Sequence, residues 1–257
     1  MTVDVSTFVG PYPFRHLPDS SPGGLLRQMD RLGIHHAWVG HLPSAFYRDP
    51  APGTDELLRL VAPHRDRLLP VPAVHPGLPR WEDDLRAAAE AGAPAVRAYP
   101  GQQALAPAGP EMVALMEAAA GRRLPVLLTV KLEDLRQRHP LDAAPDLPPS
   151  AVRALARLEA GPRLLVTHAD RGFVEEVHFG LTPDEARRVL WEISWIWGPP
   201  EDHLALLLET IGAERFTFGT GMPLRLPDGA VAKLDLLAPA AADRARLTGA
   251  NLQRWRE

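Results

Sequence analysis

Side chains able to do chemistry at neutral pH cluster at the ends of short apolar runs in this sequence. His168 follows the run Arg163 to Thr167 and precedes Ala169-Asp170. An imidazole there suits a general acid or base, or a hydrogen-bond partner for a ligand. The plain alternative is a histidine satisfied by its neighbours. Lys131 follows Val126 to Val130 and suits an electrostatic stabiliser, a carboxylate anchor or, if desolvated, an amine nucleophile. Its alternative is a solvated lysine opening the next helix. Arg97 and Tyr99 fall on one face of a strand by two-residue alternation. Pointing inward, Arg97 would clamp a carboxylate through its forked donors, or else form a buried ion pair with Glu192. Ser6, within Val3 to Val9, and Thr129, within the run before Lys131, supply hydroxyls. Glu192 and Ser194 share one parity of Leu190 to Ile196, and Trp195 and Trp197 the other. That aromatic-dense segment reads as a pocket wall or as packing between barrel and helix.

These positions need a scaffold that brings run ends together. Eight apolar runs read as strands: Val3 to Val9, His36 to Gly40, Leu69 to Val74, Ala95 to Tyr99, Val126 to Val130, Arg163 to Thr167, Leu190 to Ile196 and Phe216 to Phe218. Helical spacing separates them at Leu25 to Leu32, Asp55 to Val61, Trp81 to Ala91, Glu111 to Ala120, Ala151 to Ala160 and His203 to Ile211. Glycines 33, 92, 121, 161 and 212 punctuate helices before the next strand. Alternation of this kind predicts βα units around a parallel sheet. The 257 residues match one eight-stranded α/β (TIM) barrel as a single domain, 1–257. In such a barrel the strand C-termini and the loops after them carry the site. The Pro- and aromatic-rich segment Gly10 to Pro22 and the Pro-rich segment Arg138 to Pro149 belong to those loops. A doubly wound open sheet is the competing architecture, but no G-x-G-x-x-G turn follows the first strand.

Bulk properties remove several classes of function. The net charge of −4, with both signs interleaved, argues against a nucleic-acid partner. No apolar run has the length of a membrane span. With no cysteine, disulfides, thiolate metal sites and a cysteine nucleophile are excluded. No basic stretch followed by an apolar run opens the chain, so a cytoplasmic protein is expected. Lysine occurs only at 131 and 233, against 26 arginines, a compositional bias that makes arginine counts uninformative. The helix residues Arg153, Arg157, Arg187 and Arg188 read as solvated faces. There is no G-x-S-x-G elbow and no P-loop. His41, His75 and His178 show no His-x-x-x-His spacing, and His35 and His36 fall at the stability end of a barrel.

Taken in order, several stretches resemble the amidohydrolase-related family, the group containing aminocarboxymuconate-semialdehyde decarboxylase-like proteins. They are "VDVSTFVGPYPFR", "LLRQMDRLGIHHAWVG", "AGAPAVRAYP", "RRLPVLLTV", "RLLVTHAD", "IGAERFTFGTGMP" and "LTGANLQRW". The resemblance implies a (β/α)8 barrel, frequently dimeric, with a divalent metal held by histidines of strands 1, 5 and 6 and an aspartate of strand 8. At those places this chain has Ser6, Phe8, Thr129, His168 and Gly221, so only His168 matches. Fewer than three ligands do not hold zinc, so no metal and no cofactor are expected. Three functions follow as expectations. The first is a metal-independent hydrolase of a small carboxylated lactone or amide, with His168 and Lys131 catalytic and Arg97, Tyr99, Ser6, Thr129, Glu192, Ser194 and Trp195 around the substrate. The second is a non-catalytic binder, recognisable by a mouth plugged by Phe8, Tyr12, Phe14 and the tryptophans. The third is a metal enzyme with relocated histidines.

Overall fold

In the computed structural model, which describes residues 1–256, eight parallel strands alternate with helices. The strands are Val3–Val9 (β1), His36–His41 (β2), Leu68–Pro70 (β3), Val96–Ala98 (β4), Val126–Thr129 (β5), Leu164–Thr167 (β6), Val189–Glu192 (β7) and Phe216–Thr217 (β8). They pair in chain order as β1-β2-β3 and β4-β5-β6-β7-β8. Backbone hydrogen bonds close both seams. Val74 N–H donates to Arg97 O at 2.9 Å and Arg97 N–H to Pro72 O at 2.8 Å, joining the segment after β3 to β4. Val5 N–H donates to Phe218 O at 3.1 Å and Gly221 N–H to Ser6 O at 2.8 Å, joining β8 to β1. The result is the expected (β/α)8 barrel. Among the described residues no helix is long and apolar enough to cross a membrane.

The helices are Pro22–Leu32 (α1), Ala51–Val61 (α2), Trp81–Glu90 (α3), Pro110–Gly121 (α4), Pro149–Ala156 (α5), Arg171–His178 (α6), Pro183–Ala186 (α7), His203–Thr210 (α8), Asp228–Leu237 (α9), Ala241–Ala245 (α10) and Asn251–Arg256 (α11). Helix α6 escapes the apolar-spacing argument because it is short. Its start is nonetheless written in Asp170, whose carboxylate accepts from Phe173 N–H at 3.0 Å as an N-cap. Gly33, Gly92 and Gly212 take positive φ at helix ends, as their placement predicts; Gly161 also has positive φ but lies in a loop, because α5 stops at Ala156 rather than Ala160. Gly121 stays inside α4.

The barrel interior is layered. Val5, Trp38, Val71, Ala95, Leu127, Leu165 and Leu190 form an apolar floor. Two residues further along their strands stand Gly40, Ala73, Arg97, Thr129, Thr167 and Glu192, so the next layer is polar. On β1 the step is three residues. The register with β2 shifts between Asp4 and Thr7, a bulge that places Ser6 and Phe8 on the interior although Val5 is interior too. A Cβ at Gly40 would stand 3.2 Å from the Phe8 ring, so a larger residue there needs the ring to yield by a few tenths of an ångström.

Strand β7 is shorter than its apolar pattern predicts. It ends at Glu192, so residues 193–197 are loop and their parity has no meaning. Trp195 is buried and Trp197 is 55% exposed. At the opposite end of the barrel, Asn251 opens α11 and seals the lower rim. Its Nδ2 donates to Ala213 O at 2.6 Å and Phe216 O at 2.9 Å. Asn251→Ala strands two buried carbonyls, so it should cost about 2–4 kcal/mol, read as a lower urea midpoint at unchanged m-value.

Candidate functional site

The site's polar residues fall into two tiers. The lower tier lies in the barrel axis and is fully enclosed: Ser6, Arg97, Tyr99, Thr129, His168 and Glu192 are all buried. His168 takes φ +61°, a left-handed backbone that costs a β-carbon-bearing residue energy and concentrates at functional sites. Two bonds hold it there. Its N–H donates to Glu192 Oε2 at 3.3 Å, and its Nδ1 lies 2.7 Å from Lys131 O. A carbonyl only accepts, so Nδ1 carries the hydrogen. Nε2 of the neutral ring is then an acceptor, and the Ser6 hydroxyl donates to it at 3.3 Å. Burial pushes the imidazole down to about 3, against a smaller upward pull from the Lys131 carbonyl. His168 is therefore neutral throughout the physiological range.

Arg97 lies on the other side of the axis. Its Nη1 donates to Thr129 Oγ1 at 3.2 Å, and that oxygen also accepts from Thr167 Oγ1 at 3.1 Å. The guanidinium rests over the Phe8 ring at 4.5 Å and lies 6.0 Å from the Tyr99 ring centre. Nε and Nη2 are buried and have no protein acceptor. The ion pair with Glu192 considered for Arg97 does not form. Glu192 instead accepts from the Ser194 hydroxyl at 2.8 Å and from the Ser194 N–H. Burial raises its carboxyl.

Above this tier, on the β5–β8 side, opens a cavity of about 640 Å³ walled by Lys131, Ser194, Trp195, Thr220, Arg225 and Lys233, among others. Lys131 does not open a helix, because α5 begins at Pro149. It lies at the rim, 3.3 Å from Asp170. The Trp195 ring stacks on His168 at 5.6 Å and separates the imidazole from the cavity. Two cations flank that indole, Lys131 at 5.0 Å and Arg225 at 4.5 Å. A larger cavity, about 820 Å³, lies at the other end of the barrel, between its floor and α9–α11. None of the chemistry-bearing side chains of the mouth faces it.

The β1–β4 side of the mouth is closed. Phe8, Tyr12, Leu17, Leu42, Tyr99 and Leu132 pack together with Phe14 and Phe46 against them. Tyr12, Phe14 and Phe46 contact one another edge-on at 5.3–5.8 Å. Arg15 fastens this plug, bonding to Glu133 at 2.6 Å and to Leu224 O at 2.8 Å.

Sequence reasoning missed three residues. Arg225 stands in an irregular loop with no pattern to single it out. Lys233 is one of only two lysines, and that rarity was its signal. Asp4, interior on β1, accepts from Ser6 N–H at 3.0 Å, Thr220 N–H at 3.1 Å and Thr220 Oγ1 at 2.6 Å, tying β1 to the loop after β8. Burial raises its carboxyl to about 7 despite those donors.

The donor set at the expected metal position does not fit a divalent ion. Phe8 and Thr129 are both engaged by the Arg97 guanidinium, so a second cation there meets a fixed positive charge. Gly221 sits at φ +71°, where any Cβ would stand 3.2 Å from His168 Nε2. Among the described residues no three His, Cys, Asp or Glu side chains converge anywhere in the fold, including around His41, His75 and His178.

No protein-family model matches the sequence, and no curated protein matches it. Solved structures do. The chain is similar to 2,6-dihydroxybenzoate decarboxylase from Rhizobium, at 17% identity and TM-score 0.73, over 100% of this chain and 99% of that one. It is similar to a probable 2-pyrone-4,6-dicarboxylic acid hydrolase from Acinetobacter baumannii with citric acid bound, at 12% identity and TM-score 0.69, over 99% and 98%. An amidohydrolase from Burkholderia multivorans with bound zinc superposes at 14% identity and TM-score 0.70, over 100% and 99%. The chain shares the (β/α)8 fold of these structures from end to end.

Proposed function

We propose that this protein is a metal-independent hydrolase of a small carboxylated metabolite, a lactone or an amide. The observation that carries the reading is Arg97, a buried guanidinium with two donors and no protein acceptor. A cation desolvated in this way is stabilised by an anion that reaches it, and a carboxylate matches its fork. In this role the guanidinium supplies the fixed positive charge of the site. Lys131 and Arg225 at the cavity rim draw an anion inward, and the Trp195 indole gives a planar ligand a face to stack on. Substrate entry swings Trp195 away from His168. His168 Nε2, an acceptor in the neutral ring, then takes the proton of the attacking water, and Lys131 lies where it can stabilise the oxyanion that forms. Tyr99, Thr129 and Ser6 hold Arg97 and His168 in place, and Glu192 with Ser194 fixes the turn that carries His168. The compounds for which two of the similar folds are named, 2,6-dihydroxybenzoate and 2-pyrone-4,6-dicarboxylic acid, are small carboxylated rings, in keeping with this reading.

Chelation tests it. After dialysis against EDTA, binding of 2,6-dihydroxybenzoate by calorimetry and turnover of a panel of carboxylated lactones should be unchanged. Loss on chelation with recovery on adding manganese or zinc would overturn it. A non-catalytic binder is the second reading, favoured by the aromatic plug over half the mouth. Ligand binding without turnover of any lactone or amide in the panel would select it.

A further inference from the structure

Lys233 has no part in the chemistry above, yet it is the most enclosed amine in the molecule. It projects from α9 toward the top of β7 and is 8% exposed. Its Nζ donates to Ile193 O at 2.6 Å and to Ser194 O at 3.3 Å. The carbon stem runs beside Gly198, where a Cβ would come within 2.6 Å of Lys233 Cγ, so this glycine leaves the lysine its channel. The side chain forms part of the wall of the mouth cavity, with Ser194, Trp195 and Arg225. The charged groups facing it are Glu192 and Arg225. Burial lowers its ammonium to about 8, with Glu192 pulling the other way and Arg225 adding to the decrease. An amine in such surroundings has an appreciable unprotonated fraction at neutral pH. A carboxyl raised by burial, Glu192, reaches the cavity through the Ser194 hydroxyl that donates to it at 2.8 Å.

We propose that Lys233 is a covalent capture site for a small carbonyl compound, an aldehyde or a 2-oxo acid, which it binds in the mouth cavity as a Schiff base. The Nζ lone pair attacks the carbonyl carbon and forms the C–N bond. The C=O π electrons move to oxygen, which takes up a proton released by the nitrogen. The carbinolamine then takes up one proton from water in the cavity, loses that oxygen as water, and leaves an iminium. Water reverses each step, so no oxidant or reductant is needed. For a 2-oxo acid the inference rests on the proposed carboxylate preference of the mouth, since Arg225 and Lys131 would hold the acid group. For an uncharged aldehyde it does not.

Reductive trapping separates the two. The full chain is incubated with sodium cyanoborohydride and either pyruvate or propanal, and the adducts are located by peptide mass mapping. Only Lys131, Lys233 and the Met1 amine compete. Lys233 should be labelled at least about tenfold faster than N-acetyl-lysine in the same tube, because a lowered pKa raises the free-amine fraction. Lys233→Arg keeps the charge and the donors to Ile193 and Ser194, and should fold while losing that adduct. Labelling confined to Lys131 or Met1, or Lys233 labelling no faster than N-acetyl-lysine, overturns the proposal and identifies Lys233 as a pin between α9 and the loop after β7. Propanal labelling without pyruvate labelling keeps the capture site and overturns the carboxylate preference instead.

Discussion

Arg97→Met is expected to weaken 2,6-dihydroxybenzoate binding by about 30-fold or more while leaving the thermal midpoint unchanged or raised. The two effects have one cause. In the free protein the guanidinium is desolvated, holds a single hydrogen bond to Thr129, and leaves Nε and Nη2 without a protein acceptor. Replacing such a buried charge by an apolar side chain of similar length is often neutral or stabilising by about 1–4 kcal/mol. In the complex, the same donors face a carboxylate, and truncating one member of a buried charge pair costs about 2–5 kcal/mol of binding, which is the 30-fold lower bound. Calorimetry and a melting curve on one preparation measure both. A variant that melts far below the wild type would make Arg97 a structural strut, because its contacts with Phe8, Tyr99 and Thr129 would then outweigh its desolvation.

Two groups should make large and opposing contributions to the pH dependence of stability, beside that of Glu192, whose carboxyl burial also raises. Asp4 is held near 7 in the folded chain, above its ordinary 3.8, so between those values the folded state keeps a proton that the unfolded state releases. Its contribution is complete below about 3.8 and is lost as pH rises through 7. His168 is lowered from 6.5 to about 3, so between those values the unfolded state carries the extra proton. Its contribution is present above 6.5 and is lost as pH falls through 3. From about pH 4 to 6.5 the two slopes cancel, and only the Asp4 limb is left between 6.5 and 7. Asp4→Asn should therefore gain stability on going from pH 4 to 6.5, at up to about 1.4 kcal/mol per pH unit. His168→Asn should lose stability over the same window at a similar rate. Asparagine suits both sites: it offers Oδ1 to Ser6 and Thr220, and it tolerates the left-handed backbone at 168. Urea midpoints at four pH values decide the matter, and a common slope for all three proteins would refute the assignment.

Much of the scaffold was legible because it rests on local rules. Apolar runs, helical spacing and punctuating glycines located all eight strands and six of the helices, for the physical reason that each βα unit buries one face and needs one stop. The lower tier of the site was legible for a similar reason: Arg97, Thr129 and His168 occupy the ends of runs, and strand ends in a barrel converge. What escaped is what local rules do not encode. The bulge between Asp4 and Thr7 depends on register with β2, and it decides that Ser6 meets His168 while Asp4 turns to Thr220. The early end of β7 also depends on a partner: β8 pairs only with Trp191 and Glu192, and the apolar residues beyond find burial in a loop. Trp195 was thus placed in the site on the aromatic density of a segment read as strand, and reaches it from a loop by stacking on His168. Arg225 and Lys233 come to the cavity from the loop after β8 and from α9, through contacts that no spacing announces.

The one-sided mouth has a stereochemical consequence. With Phe8, Tyr12, Phe14 and Phe46 filling the β1–β4 half, a planar ligand bound as proposed would enter from the β5–β8 half and turn a single ring face toward the barrel axis. Water activated by His168 would then reach the ligand's carbonyl from one face alone. Opening a lactone makes no new stereocentre, so the bias would fall on which enantiomer of a chiral substrate reacts, and the aromatic plug would set it from the side of the barrel farthest from where the ligand comes in.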